Sequence, residues 1–92
     1  MIVRIMGEGQ YRLGDDVLAR VNELDNACVA AVERGDEDAF HAAFEELLQL
    51  VRTDGEHLPD DDLEGSDAIF PPADTTFVEA AAEFTGEGLI PD

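Results

Sequence analysis

The first thirteen residues carry a hydrophobic pattern that is typical of two short β-strands. Residues 2–6 are mainly apolar and β-branched, residues 7–9 read Gly-Glu-Gly, and Tyr11 and Leu13 then alternate with a polar residue. A glycine in a short loop between two such runs allows the left-handed backbone conformation that a tight hairpin turn requires. We therefore predict an antiparallel β-hairpin at the start of the chain.

The hydrophobic residues then change to helical spacing and predict two antiparallel helices. Asp15 or Asp16 is the predicted N-cap of the first helix, and Gly35 is its predicted end, because glycine readily takes the left-handed conformation that follows a helix. Asp36 is the predicted N-cap of the second helix, which ends at Gly55. The apolar stripes contain Val17, Val21, Leu24, Cys28 and Val32 in the first helix and Phe40, Phe44, Leu47 and Val51 in the second.

The segment after the second helix predicts a loop followed by one strand. Residues 54–67 are acidic and are interrupted by Pro59 and Gly65, so we expect a loop without regular structure. Residues 67–70 are predicted as a strand that ends at a Pro-Pro pair. This strand is expected beside the N-terminal hairpin, since a two-stranded ribbon alone is marginally stable in water.

A final helix and an extended segment complete the predicted fold. Thr76 and Glu79 match a capping box at the start of the helix, and residues 86–88, Gly-Glu-Gly, are expected to end it. Residues 89–91 are expected to extend along the sheet. The predicted fold class is α+β: a small single domain over residues 1–92, in which the N-terminal β-hairpin and the short later strand pack against a helical hairpin and a C-terminal helix (ββααβα).

The chain is strongly acidic and contains no lysine. Its 23 Asp and Glu residues outnumber five Arg residues, and the formal net charge is −18. Proteins bind nucleic acids and anionic lipids largely through Lys and Arg. We therefore expect no binding of nucleic acid, and association with membranes only indirectly, through a partner protein. The acidity fits either a high-salt cytoplasm or a proteome that is poor in lysine.

The side chains that commonly carry out catalysis or bind metals form no recognisable motif. Cys28 is the only cysteine, and its position in an apolar helix stripe predicts an inert buried thiol. Residues 60–65 match the start of a calcium-binding loop, but the twelfth position of that loop, which requires glutamate, is Pro71. His41 and His57 lack the spacing of a zinc site. We expect no enzymatic activity, no metal site and no cofactor.

Four short stretches together resemble one known family. They are the opening residues 1–11, the Leu-Pro-Asp-Asp-Asp-Leu sequence of residues 58–63, residues 66–74, which begin Ser-Asp and end Pro-Pro-Ala-Asp, and the Glu-Gly-Leu-Ile-Pro sequence of residues 87–91. In this order they resemble the PspA-associated (PspAA) family over essentially the whole chain. The resemblance implies an accessory of the phage-shock envelope-stress system that binds or modulates PspA, a long helical scaffold on the inner face of stressed membranes. It implies no catalytic or metal-binding residue.

The expected partner is therefore a PspA-type coiled-coil protein, and the expected location is the cytoplasm. Asp60, Asp61 and Asp62 are the first candidates for the polar part of the contact, because an acidic loop attracts basic residues of a partner. Arg4 and Arg12 are further candidates, although both are also placed for ion pairs within the sheet. Two alternative functions remain: a structural domain that forms homo-oligomers through its hairpin edges, and a sensor of a small ligand or cation.

Overall fold

The fold begins with the predicted hairpin. The structure is a computed structural model that describes residues 1–59, 65–84 and 89. Strand β1 spans Ile2–Ile5 and pairs antiparallel with β2, which spans Gly9–Arg12. The connection requires glycine, because Gly7 and Gly9 have φ angles of +84° and +116°, a conformation that residues with a β-carbon rarely adopt.

Two helices follow and form the predicted helical hairpin. Helix α1 spans Asp15–Glu33 and α2 spans Glu37–Asp54. Gly35 has a φ angle of +69° and takes the left-handed position after α1, as predicted. Asp36 caps α2, also as predicted, because its carboxylate accepts a 3.1 Å hydrogen bond from the backbone N–H of Ala39.

The predicted N-cap of α1, Asp15 or Asp16, is wrong by one or two residues. Gly14 is the N-cap and provides no side-chain hydrogen bond. Asp15 and Asp16 lie inside the first turn of the helix. Their negative charges are favourable there, because the free N–H groups make the start of a helix electropositive. The two aspartates therefore stabilise the helix through charge and not as caps.

Two further strands extend the hairpin into a four-stranded sheet with the order β3-β2-β1-β4. Strand β4 spans Ala68–Phe70 and pairs parallel with β1, which confirms the predicted strand beside the hairpin. Strand β3 spans Glu56–His57 and pairs antiparallel with β2. Residues 54–67 were expected to form only a loop, and this prediction is wrong for three of them: Asp54 ends α2, and Glu56 and His57 form β3. The cause of β3 is long-range pairing with β2, which local composition does not reveal.

Helix α3 spans Phe77–Glu83 and begins at the predicted capping box, in which the side chains and backbone groups of Thr76 and Glu79 bond reciprocally. It ends earlier than predicted, because Phe84 leaves the helix and is fully buried. The glycine-containing stretch 86–88 lies outside the described residues.

The C-terminal part of the chain contacts a helix at the one residue described there. Residues 89–91 were expected to extend along the sheet, but the backbone N–H of Leu89 donates to both carboxylate oxygens of Asp25 in α1, at 3.0 and 2.9 Å. Residues 90 and 91 lie outside the described part of the chain. Asp25 is fully buried, so this hydrogen bond provides a partner for a carboxylate that would otherwise be costly to bury.

The core lies between one face of the sheet and the three helices. Phe40 is central to it, since its ring lies 5.4 to 5.9 Å from those of Phe44, Phe77 and Phe84. The sheet contributes the alternate residues of its strands, among them Val3, Ile5 and Phe70, all with no exposed surface. The architecture is α+β with helices on one face of a mixed sheet, which confirms the predicted fold class.

Candidate partner-binding surface

The outer face of the sheet carries the two arginines that the sequence identified. The register places Arg4 opposite Gln10 and Ile69, and it places Arg12 opposite Ile2 and Glu56. Directly opposed residues project from the same face of a sheet, and Val3 and Ile5 face the core. Arg4 and Arg12 are therefore both on the outer face, both exposed, and only diagonal neighbours of each other.

The other three sequence candidates are not located by the structure. Asp60, Asp61 and Asp62 lie outside the described residues, so their part in binding stays a prediction. Arg12 lies opposite Glu56 in the β2–β3 register, where opposite charges on neighbouring strands attract. Arg4 instead lies opposite the apolar Ile69.

The outer face of the sheet is covered by the chain itself at Gln10. The backbone N–H of Leu58 donates a 2.9 Å hydrogen bond to the Gln10 carbonyl, and the Gln10 side-chain amide donates a 2.8 Å hydrogen bond to the Ser66 hydroxyl. Leu58 and Gln10 are only 4% and 6% exposed. Ser66 therefore covers Gln10 on the outer face of β2.

The half of the outer face around β1 and β4 carries exposed apolar side chains. Ile69 is 54% exposed and Met6 is 48% exposed. The backbone N–H of Met6 donates to the Phe70 carbonyl at 3.0 Å, which continues the pairing of β1 with β4 by one residue. With Pro71, Pro72 and Glu83 these two side chains line a groove of about 430 Å³.

The apolar groove continues into an acidic one along α3. Pro71, Pro72 and Glu83 also line a second cavity of about 220 Å³, whose other walls are Asp74, Thr75 and Glu79. The carboxylate of Glu79 accepts hydrogen bonds from Thr76 in the capping box. Glu83 lies one helical turn later and is exposed. We call the two cavities together the β4–α3 groove; one end of it is apolar and the other is acidic.

The groups with perturbed ionisation are structural ones. Arg52 of α2 donates two hydrogen bonds of 2.6 Å to the carboxylate of Glu8 in the hairpin turn. These hydrogen bonds lower the pKa of Glu8 and raise the pKa of Arg52. Burial, with a smaller contribution from the charge of Asp25, raises the pKa of Cys28 to about 12. A thiol with this pKa is protonated at neutral pH and is a poor nucleophile.

Two features of the structure were missed from the sequence. One is the exposed pair Met6 and Ile69, because the uniformly apolar run Ala68–Phe70 does not show which side of the strand faces solvent. The other is the buried carboxylate of Asp25, which lies on the same side of α1 as Val21 and Cys28 and therefore points into the core. Among the described residues, no group of three His, Cys, Asp or Glu side chains is arranged to hold a metal ion.

The comparisons with known proteins identify the family. In the part of the chain that the structure describes, no helix has the length and hydrophobicity required to cross a membrane. Neither the curated proteins nor the solved structures contain a significant match. A family model described as PspA-associated protein matches residues 1–92, the full length of the chain. The chain therefore belongs to the PspA-associated protein (PspAA) family.

Proposed function

We propose that this protein is a non-enzymatic accessory of the PspA envelope-stress system that binds a PspA-type helical scaffold and modulates it. The observation that carries the proposal is the family match over residues 1–92. A protein that acts by binding a partner needs a binding surface but does not need a catalytic site. The exposed apolar and acidic surfaces described above are suited to that role.

The net charge of −18 supports a protein partner over a membrane or a nucleic acid. An acidic surface repels anionic lipid headgroups and phosphate backbones. The same surface attracts basic residues of a protein and increases the rate of encounter with them. The proposed location is accordingly the cytoplasm, with recruitment to the inner face of the membrane through the scaffold.

Asp60, Asp61 and Asp62 are proposed to supply the long-range attraction in this complex. Charges at the edge of an interface mainly change the association rate, whereas buried contacts mainly change the dissociation rate. Replacing all three aspartates by asparagine should therefore slow association more than it accelerates dissociation. Rising salt concentration should weaken binding by the same route, because exposed charges are screened over about 8–10 Å near physiological ionic strength.

Binding kinetics with an immobilised PspA-type coiled coil test this proposal. The matched control replaces three exposed acids of the helical hairpin, Glu23, Glu33 and Glu46, by glutamine, so that both triple variants change the net charge equally. We expect a larger loss of association rate for the variant of Asp60, Asp61 and Asp62 than for the control. Equal losses would assign the attraction to total charge alone, and no binding by the unmodified protein would refute the proposed function.

A further inference from the structure

We propose that the β4–α3 groove is the docking surface for a helix of the PspA-type scaffold, and that this helix presents an apolar side chain followed along the same face by basic residues. This inference rests on the proposed function and assigns its contact surface. The apolar end of the groove, around Met6 and Ile69, would receive the apolar side chain. The acidic end, around Glu83 and Asp74, would contact the basic ones.

The apolar end has the properties of an anchor site. Among the described residues, three large hydrophobic side chains are exposed: Met6, Ile69 and Val78. Ile69 lies on β4, Met6 directly follows β1, and the two line one groove with Pro71 and Pro72. Isolated exposed hydrophobic residues, by contrast, are common on protein surfaces and need no partner. Contiguous apolar surface with a polar rim is typical of interaction sites. Methionine also adapts its shape to different partners.

Charge complementarity selects the occupant. The acidic end contributes Asp74, Glu79 and Glu83, and this end is continuous with the apolar one through Pro71 and Pro72. A second copy of this chain also has a net charge of −18, so the acidic end of the groove would repel it. An anionic membrane would be repelled in the same way, because its lipid headgroups are negatively charged. A helix that carries an apolar residue, and basic residues one turn further along the same face, matches both ends of the groove, since residues three or four apart share a helix face.

Another groove, on the helical hairpin, fits this occupant less well. It has a volume of about 500 Å³ and is lined by Arg20, Ala42, Glu45, Glu46, Gln49, Leu50 and Thr53. Its apolar members are Ala42, which is small, and Leu50, which is only 8% exposed. Such a groove offers acidic groups but little apolar surface that binding could remove from water.

Alanine variants of the groove test the apolar contact. Met6→Ala combined with Ile69→Ala should weaken binding to the scaffold by about 10-fold, mainly through faster dissociation, because truncated anchor residues dominate interface energetics. Val78→Ala is the matched control, since Val78 is 81% exposed on α3 and lies outside the groove lining. The control should bind as tightly as the unmodified protein, and thermal melts should show that all variants fold.

Zero-length cross-linking with a carbodiimide tests the acidic contact. Because this chain has no lysine, amide cross-links to scaffold lysines can form only through carboxylates of this chain. We expect Glu83 or Asp74 among the linked residues and a reduced yield for Glu83→Gln, with Glu23→Gln as a control on α1. The chain's single amino terminus restricts links between two copies, so the cross-links report on the complex.

The outcomes separate the docking surface from the proposed function. Weaker binding by the double alanine variant together with cross-links at the groove supports the inference. Normal scaffold binding by that variant, with cross-links confined to other carboxylates, refutes the groove and leaves the proposed function intact. Self-association through Met6 and Ile69 would also refute the scaffold helix as occupant. No binding by the unmodified protein would refute both.

Discussion

Replacing Glu8 by glutamine should destabilise the protein, even though it reduces the unfavourable net charge. Glu8 lies in the turn between β1 and β2, and Arg52 lies near the end of α2. Their side chains form a bidentate pair with two hydrogen bonds of 2.6 Å. The pair therefore ties the hairpin to the helical layer across 44 residues of sequence. Glutamine keeps the shape of the side chain and removes the charge.

The expected loss of stability is about 1.5 kcal/mol. Hydrogen bonds to charged groups contribute roughly 1.5–3 kcal/mol, whereas fully exposed ion pairs contribute only about 0.2–1 kcal/mol. The Arg52 and Glu8 side chains are 31% and 29% exposed, so the pair lies between these limits. For a domain of this size a loss of about 1.5 kcal/mol lowers the melting temperature by roughly 6–12 °C.

Urea unfolding of two variants isolates the pair from the effect of net charge. Glu23→Gln removes one negative charge from an exposed position on α1 that forms no ion pair with the residues the structure describes. This control should be as stable as the unmodified protein or more stable. The difference between Glu8→Gln and Glu23→Gln at neutral pH then gives the contribution of the pair.

The difference in stability between Glu8→Gln and Glu23→Gln should depend on pH. The pKa of Glu8 is lowered in the folded state by the Arg52 hydrogen bond, so its stabilisation is fully present above the unfolded-state pKa of about 4.3 and is lost as the pH falls through the folded-state pKa. The two variants should therefore converge in stability under acidic conditions. Equal stability at neutral pH, or a difference that grows on acidification, would refute the structural role assigned to this pair.

Three further predictions concern the fold. Urea midpoints should rise between low and moderate potassium chloride, because salt screens the self-repulsion of a chain with a net charge of −18; flat midpoints would mean that the acids are locally compensated. Gly35→Val should lower the free energy of unfolding by at least about 1 kcal/mol, because Gly35 has a φ angle of +69°, even though the space around it is open. The control, Gly35→Asn, should lower it less. Cys28 should resist iodoacetamide at mildly alkaline pH until urea unfolds the protein, since burial raises its pKa to about 12; rapid labelling of the folded protein would contradict the buried position.

The parts of the fold that could be predicted from sequence are those determined by neighbouring residues. The Gly35 and Asp36 junction is one, and the capping box of Thr76 and Glu79 is another, because each depends on residues no more than three apart. Strand β3 could not be predicted, since it exists only through pairing with β2.

The candidate binding surface was predictable only in part. Arg4 and Arg12 were placed on the hairpin by alternation alone. The groove that Met6 and Ile69 line depends on the parallel pairing of β1 with β4, and these strands are separated by both long helices. The acidic end adds residues of α3, whose position relative to β4 follows from the packing of Phe84 in the core. The sequence predicted a strand beside the hairpin, but local patterns do not show which hairpin strand it pairs with or in which register.

Liposome flotation with and without a PspA-type scaffold tests the central claim most directly. The protein alone should remain at the bottom of a gradient with anionic vesicles, because its acidic surface has no means of holding them. Adding the scaffold should carry the protein upward with the vesicles, in proportion to the scaffold bound. Flotation without the scaffold, or failure to float when the scaffold does, would contradict an accessory that reaches the membrane through PspA.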